Sequence, residues 1–463
     1  MPTTIDRIEE NSALYGFLKV YVDFLFRKYY RVTVNGLENI PSEGTLIFAA
    51  NHQNALMDAL AMLCVRKGQP VFMARADIFK NPTVRKILTF LKIMPVYRIR
   101  DGYENLSLND EIFKKTIDVI RNRNGLVILP EGNHCGEKRL RPLKKGIARI
   151  ALQAEEAMGG ELDIRVVPVG IDYTNYMRVG SRLHVSFGVA IRVAPLLLEY
   201  KNSPAKAYNI LLNLLTSGLK SEMVHIADEK YYSASKSAIE SYSHWRIDKA
   251  KQKQTHINNI EFQQKAAQGL EKLKDKSPDD YLVLMAAFME LSRDLKELGF
   301  PDGYCPLSRK KKILSVLVLF VLVLTSPLFV YAAVNNAVSL GIPYLFSKKF
   351  MDEQFHSSVR FALALFLLPI FHAIQVVTFA FLTANAFYTI LYAVSLPLST
   401  YFFFRWKEQF NLNCLALKEI AFGMAKNKLY NRTKLLHNKV VKKVDDLCFG
   451  KKRLEMDQSF FED

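Results

Sequence analysis

Thr45-Leu46-Ile47-Phe48-Ala49-Ala50-Asn51-His52-Gln53-Asn54-Ala55-Leu56-Met57-Asp58 is the stretch on which the fold turns. Six residues with strand texture enter a polar loop, and a helical pattern follows over 56–65. The same alternation recurs on either side. Strands are expected over 32–35, 71–74, 94–98, 125–129, 165–171 and 183–187, with helices over 82–91, 109–122 and 146–157. Strand, helix, strand in repeated order argues for an α/β domain with a mainly parallel sheet flanked by helices, closing near residue 200.

Outward from this block the texture changes. Before it, residues 14–30 are apolar with charges only at Lys19, Asp23, Arg27 and Lys28, which reads as an amphipathic helix at a membrane interface or on the domain core. After it, residues 201–305 are rich in Lys, Glu, Gln and Ala and read as helices. Ser277 and Pro278 mark one start, and Gly299 with Pro301 its stop. Two long runs then contain no Asp, Glu, Lys or Arg, at 313–346 and 361–404. A bilayer-crossing helix needs only about 20 apolar residues, so these are membrane segments. The second run reads as two crossings joined near Thr383 to Asn385. The first, interrupted by Pro327 and Asn335-Asn336, is one tilted crossing, a hairpin or a re-entrant pair. The expected organisation is therefore 1–30 amino-terminal helix, 31–200 α/β domain, 201–305 helical region, 306–405 membrane region and 406–463 basic tail.

Charge supplies orientation. The chain carries 63 Lys and Arg against 45 Asp and Glu, a net +18 that favours an anionic partner. No zinc-finger spacing, basic zipper or aromatic RNA-binding signature is present, so a membrane surface is expected and no nucleic acid. Arg309 to Lys312 precede the first apolar run and the basic tail follows the second; both flanks are expected in the cytoplasm with an even number of crossings between them. The tail's spacing (Leu415, Leu417, Ile420, Ala421, Met424, Leu429) suits a helix on anionic headgroups or in solvent. No secretory leader is expected from the acidic first residues. Five cysteines without paired spacing indicate neither disulfides nor a structural zinc.

Four blocks carry chemistry. His52 in a strand-to-helix loop with Asp58 in the first helical turn suits a general base held by a carboxylate. Pro130-Glu131-Gly132-Asn133-His134 ends another strand and opens a basic loop with Lys138, Arg139, Arg141, Lys144 and Lys145, the setting in which anions bind. Met94-Pro95-Val96-Tyr97-Arg98 places an arginine at a third strand end, and Val166-Val167-Pro168-Val169-Gly170 is an apolar strand with a proline.

In this order the blocks resemble those of the glycerolipid acyltransferases that acylate glycerol 3-phosphate and lysophosphatidate, over about 32–192. The resemblance implies that His52 is the base for attack of a glycerol hydroxyl on an acyl thioester and that Asp58 orients it. It implies that Arg98, Glu131, Gly132 and Lys144, with Asn133, His134, Arg139 and Arg141 in the same loop, bind the acceptor phosphate, and that Pro168 is structural. The implied partners are membrane lipids, a glycerol phosphate acceptor, and acyl-CoA or acyl carrier protein as co-substrate. Neither a metal nor a bound cofactor is expected, because the thioester is already activated. Two positions depart from the pattern. Five residues separate His52 from Asp58 where the family usually has four, which requires a one-residue bulge, and Asn133-His134 stand for the usual Thr-Arg. Some eukaryotic members that acylate glycerol 3-phosphate or dihydroxyacetone phosphate are similar in the longer spacing and in having carboxy-terminal apolar segments. Competing readings are another lipid acceptor, such as an amino-acid lipid or lysophospholipid, and a non-catalytic membrane-anchored lipid-binding protein.

Overall fold

The structure, a computed structural model, describes residues 8–96, 108–121, 125–250 and 256–450. The chain divides into two compact units. One comprises Met1–Met223 and Val338–Gln375, the other Val224–Ala337 and Val376–Asp463.

The first unit is built on an eight-stranded sheet. Its strands are β1 (Arg31–Asn35), β2 (Thr45–Ala50), β3 (Val71–Arg75), β4 (Ile93–Val96), β5 (Leu126–Ile128), β6 (Ile164–Tyr173), β7 (Arg182–Phe187) and β8 (Ile191–Arg192). They lie in the order β1-β7-β6-β2-β5-β3-β4, with β8 beside β6. Pairing is parallel except where β6 meets β7 and β8.

Strand β2 shows why the sheet is buried on both faces. Ile47 and Ala49 join one core with helices α4 (Leu108–Arg121), α5 (Gly146–Ala157) and α7 (Pro204–Glu222). Phe48 and Ala50, one residue out of phase, join the other core with α1 (Ala13–Tyr29) and α2 (Ala55–Val65). The remaining helices of this sheet region are α3 (Pro82–Phe90) and α6 (Leu197–Asn202).

The expected elements are present with ends moved by a residue or two. The boundary near 200 moves further. Ala207, Leu211, Leu215 and Leu219 recur at helical spacing on α7 and bury against the sheet, so the α/β unit continues to Met223, into the stretch read as a separate helical region. Close packing at that junction needs glycine. A Cβ on Gly170 would lie 2.1 Å from the Glu222 carbonyl oxygen. Helix α1 packs on the domain core through Tyr15, Val22 and Phe26, while Phe17, Val20 and Phe24 face outward.

In the second unit α8 (Tyr232–Lys249), α9 (His256–Lys276), α10 (Pro278–Glu297) and α15 (Lys428–Phe449) share one core. Tyr430, Leu436, Val440, Val441 and Val444 of α15 are buried among the other three helices, so part of the basic tail is a packed helix whose lysines form its outer face. Ser277 does sit at the start of α10, but its side chain makes no capping hydrogen bond.

The apolar runs form α11 (Arg309–Leu324), α12 (Ser326–Ser347), α13 (Gln354–Thr383) and α14 (Ala386–Met424). The last three are long and apolar enough to cross a membrane, which associates the protein with one; α11 is shorter. The first run breaks at Thr325, before Pro327, and not at Asn335-Asn336. Those side chains donate to Tyr331 O and Ala332 O one turn back, so the helix continues through them. They also face α14, where Asn336 donates to Ser399 Oγ at 3.0 Å and Tyr392 donates to Asn335 Oδ1 at 2.6 Å. Such polar contacts stabilise helix pairs in lipid. The turn between α13 and α14 lies where expected. Ala384 is left-handed, with φ +48°, and Asn385 caps α14 by accepting from Tyr388 N–H. Helix α14 then runs unbroken past 405, so the membrane region and the tail share one helix.

Candidate active site

Parallel pairing brings two strand ends together. Ile47, Phe48 and Ala49 of β2 pair with Leu126, Val127 and Ile128 of β5, so the loops that follow, 51–54 and 129–145, emerge side by side. Carboxyl ends of parallel strands are where open α/β sheets place their ligands.

The first loop is pinned at both ends. Asn51 is fully buried and exchanges two hydrogen bonds with Ile171, from Nδ2 to O at 3.0 Å and from the Ile171 N–H to Oδ1 at 2.6 Å. Asp58, in the first turn of α2, is also fully buried. Its Oδ2 accepts from Gln53 N–H and Asn54 N–H, each at 2.7 Å, and stands 2.8 Å from His52 Nδ1; its Oδ1 accepts from Tyr173 OH at 2.8 Å. All four partners are donors, so a carboxylate is the form that satisfies them. Burial and the Asp58 charge hold the Tyr173 hydroxyl pKa well above its ordinary value, which keeps it a donor.

The extra residue between His52 and Asp58 is absorbed by the backbone. Ala55 takes φ +33°, a conformation that costs a non-glycine residue energy and persists only where its surroundings enforce it. With Nδ1 committed to Asp58, His52 keeps Nε2 as its proton acceptor, and its side chain is 13% exposed.

The second loop locks onto the first. Glu131 accepts the His52 backbone N–H at 2.8 Å on Oε1, and the Arg141 N–H and Nε, both at 3.2 Å, on Oε2. The Cys135 N–H donates to His52 O at 3.1 Å. Glu131 therefore faces inward as a bracket between the loops, not outward to an acceptor. Burial raises its carboxyl pKa, and the hydrogen bonds from His52 and Arg141 oppose that rise.

The other expected acceptor residues divide. Arg141 also donates to Asn133 O, and Arg139 pairs with Glu137 at 3.0 Å. Lys138 turns inward to an ion pair with buried Asp172 at 2.5 Å. Gly132 has φ +71° and carries the stem of Lys144 over it, with Cγ 3.4 Å from where a Cβ would be. Lys144 itself is exposed, its N–H held by Pro130 O at 2.8 Å. Exposed Lys144 and Lys145 and partly exposed Arg141 are thus cations that this loop offers to solvent. Arg98 lies outside the described residues. Pro168 sits within β6 opposite Ala49 and packs on Gly188 and Gly218, as a structural residue would.

His134 lies beside the first loop. Its ring stands edge-on to His52 at 5.5 Å and to Phe355 at 4.7 Å. Burial, followed by the neighbouring His52, lowers its pKa. Tyr173, Phe355 and Ser357 have no local sequence signal; they reach the site through β6 and the start of α13.

Among the described residues, no group of three or more His, Cys, Asp or Glu could hold a metal. The arrangement offers a base and its orienting carboxylate at one strand end, with backbone amides and cations at the next. That is the equipment for moving a proton from a hydroxyl while an anionic group is held nearby.

Residues 31–172 match the family model described as Acyltransferase. Over 134 residues the chain is 25% identical to a chloroplastic 1-acyl-sn-glycerol-3-phosphate acyltransferase of Brassica napus, covering 29% of this chain and 37% of that protein. It is 32% identical over 112 residues to glycerol-3-phosphate O-acyltransferase 2 of Saccharomyces cerevisiae, 24% of this chain and 15% of that one. A 1-acyl-sn-glycerol-3-phosphate acyltransferase of Borreliella burgdorferi is 27% identical over 197 residues, 42% of this chain and 70% of that one. The chain spans little more than a third of the length of the chloroplastic relatives of Brassica napus and Arabidopsis thaliana. The crystal structure of the 1-acyl-sn-glycerophosphate acyltransferase from Thermotoga maritima aligns over 45% of this chain and 79% of its own, at 19% identity and TM-score 0.33.

Proposed function

We propose that the protein is a membrane-bound glycerolipid O-acyltransferase that moves a fatty acyl group from acyl-CoA or acyl carrier protein to a hydroxyl of glycerol 3-phosphate or 1-acylglycerol 3-phosphate. The observation that carries this reading is the His52–Asp58 pair, with Nε2 accessible and the Arg141 and Lys144 loop adjacent, inside the acyltransferase-family domain.

In the proposed reaction the acceptor oxygen attacks the thioester carbonyl carbon as His52 Nε2 takes the hydroxyl proton. The C–O bond forms and an oxyanion develops. Collapse breaks the C–S bond, and the imidazolium returns its proton to the leaving thiolate. Asp58 stabilises the transient positive charge on His52 throughout. Cationic Arg141 and Lys144, with Arg98 by resemblance, suit the acceptor phosphate. No metal or bound cofactor enters this scheme.

The catalytic unit and the carboxy terminus are both proposed to face the cytoplasm, on the strength of Arg309 to Lys312 and the basic residues after 405. Three helices have spanning length, so this orientation requires α11 and α12 together to contribute an even count, as a hairpin or as a re-entrant pair. Single cysteines placed at Lys310 and Met351 should resist an impermeant thiol reagent until the membrane is opened.

The deciding experiment is acyl incorporation by the purified full chain, with glycerol 3-phosphate, dihydroxyacetone phosphate and 1-acylglycerol 3-phosphate compared against acyl-CoA and acyl carrier protein. One acceptor should be used in preference to the others. Absence of transfer in every combination from folded protein would return the chain to the lipid-binding reading.

A further inference from the structure

Asn54 is the cap residue of α2 and lies within the lengthened His52-to-Asp58 loop, yet it does not cap. An asparagine in that position ordinarily turns its side-chain oxygen onto the first free amides of its helix. Here the fully buried carboxamide points the other way. Its Nδ2 donates to Tyr30 OH and to Tyr176 O, both at 3.3 Å, and its Oδ1 accepts from Ser357 Oγ at 2.8 Å. Ser357, itself fully buried, lies 303 residues further along the chain, in the first turn of α13.

The contact is anchored on both sides. Phe361, one turn after Ser357, is buried edge-on against Phe26 and Tyr29, and Tyr21 OH donates to Leu365 O at 2.8 Å. At the other end Phe355 meets His134. A Cβ on Gly136 would fall 2.8 Å from Gln354 Nε2, so the basic loop leaves room for this segment. The start of a membrane-type helix is thus built into the wall of the catalytic loop.

We infer that Ser357 is a positioning residue for the His52–Asp58 pair, an inference that rests on the acyl transfer proposed at His52. The backbone N–H groups of Gln53 and Asn54 hold Asp58 Oδ2, and the Asn54 side chain decides where those groups point. While Ser357 occupies Asn54 Oδ1, the loop keeps its extra residue and the strained Ala55. Without that donor, Asn54 Oδ1 is released to the α2 amides, and the two N–H groups turn away from Asp58. His52 then loses its orientation while the acceptor and donor surfaces stay as they were. The signature is a fall in kcat with little change in KM.

The test uses the purified full chain in detergent, with thermal unfolding recorded for each variant. S357A should lower kcat about tenfold, as expected for one buried neutral hydrogen bond, and leave both substrate KM values within about twofold. N54A should do the same. The S357A/N54A double variant should be no slower than N54A alone, because N54A already removes the Ser357 contact along with those to Tyr30 and Tyr176. Wild-type kcat in S357A, multiplying effects in the double variant, or a loss expressed in KM would each overturn the inference. If S357A does not fold, S357C, close in size and a much weaker donor, is compared with N54A in its place. H52A separates the two levels. If H52A retains activity, the acyl-transfer site itself is wrong, whereas an inactive H52A beside an unaffected S357A removes Ser357 alone.

Discussion

The molecule buries two carboxylates in nearly the same way. In the α/β unit Asp58 accepts from His52 Nδ1, two backbone amides and Tyr173. In the helical unit Glu419 of α14 accepts from Lys312 at 2.7 Å, the Leu307 N–H at 3.0 Å, Tyr430 at 2.7 Å and Tyr304. Each carboxylate has four donors and no exposure. The difference lies in the partner that can carry charge. The Lys312 ammonium has no acceptor nitrogen to offer and closes its pair, whereas an imidazole bound through Nδ1 keeps a second ring nitrogen for other chemistry. The same means of satisfying a buried anion builds a strut in one unit and, in the proposed function, a proton relay in the other.

The comparison breaks first at His52. H52A should reduce acyl transfer by about 100- to 10,000-fold, the range for a positioned general base, with an unfolding temperature close to the parent. Activity within threefold of the parent would place the relay elsewhere.

Glu419→Gln should do the reverse. A carboxamide turns an NH2 group toward partners that are all donors and leaves Lys312 without its counter-charge. Breaking a buried pair costs about 3 kcal/mol, so chemical unfolding should show that loss, while kcat per folded molecule stays at the parent value.

A third case sharpens the role of titration. His437 of α15 is buried, with Nε2 2.7 Å from Ser241 Oγ, and burial pushes its pKa down to about 4. The folded chain then binds fewer protons than the unfolded chain between pH 6.5 and 4. Stability is full above about pH 6.5 and falls as pH drops through that window, by up to about 3 kcal/mol. H437Q should flatten this dependence in unfolding curves recorded across pH 4 to 7, without touching catalysis.

The smallest effect is expected at the rim. Lys144→Ala should raise acceptor KM by about tenfold, for a charge-assisted contact of 1.5 to 3 kcal/mol, with donor KM unchanged. Equal changes in both would detach Lys144 from the acceptor.

These contrasts also show where sequence reading stops. Strand β2 and helix α5 are legible to the residue, because an uninterrupted apolar run and a clear helical stripe each have one solution. The His52–Asp58 encounter is legible too, as a bulge that closes the longer spacing. Glu131 is not. Its strand-end position invites a ligand, but its direction is set by a backbone N–H on a neighbouring loop, which only the β2–β5 register reveals. Lys138 likewise reads as a solvated charge until β6 brings Asp172 beneath it. Tyr173 and Ser357 are further still from any local pattern. The tail misleads for a different reason, since a basic helix on lipid and a basic helix whose other face is buried share one periodicity.

Both backbone polar groups of His52 are spoken for by the opposite loop, its N–H by Glu131 and its C=O by Cys135. Glu131 in turn grips Arg141. A substrate that draws on the Arg141 guanidinium therefore pulls on the same carboxylate that fixes the histidine main chain. In the proposed reaction the anion-binding loop and the proton acceptor would thus share one carboxylate as their common anchor.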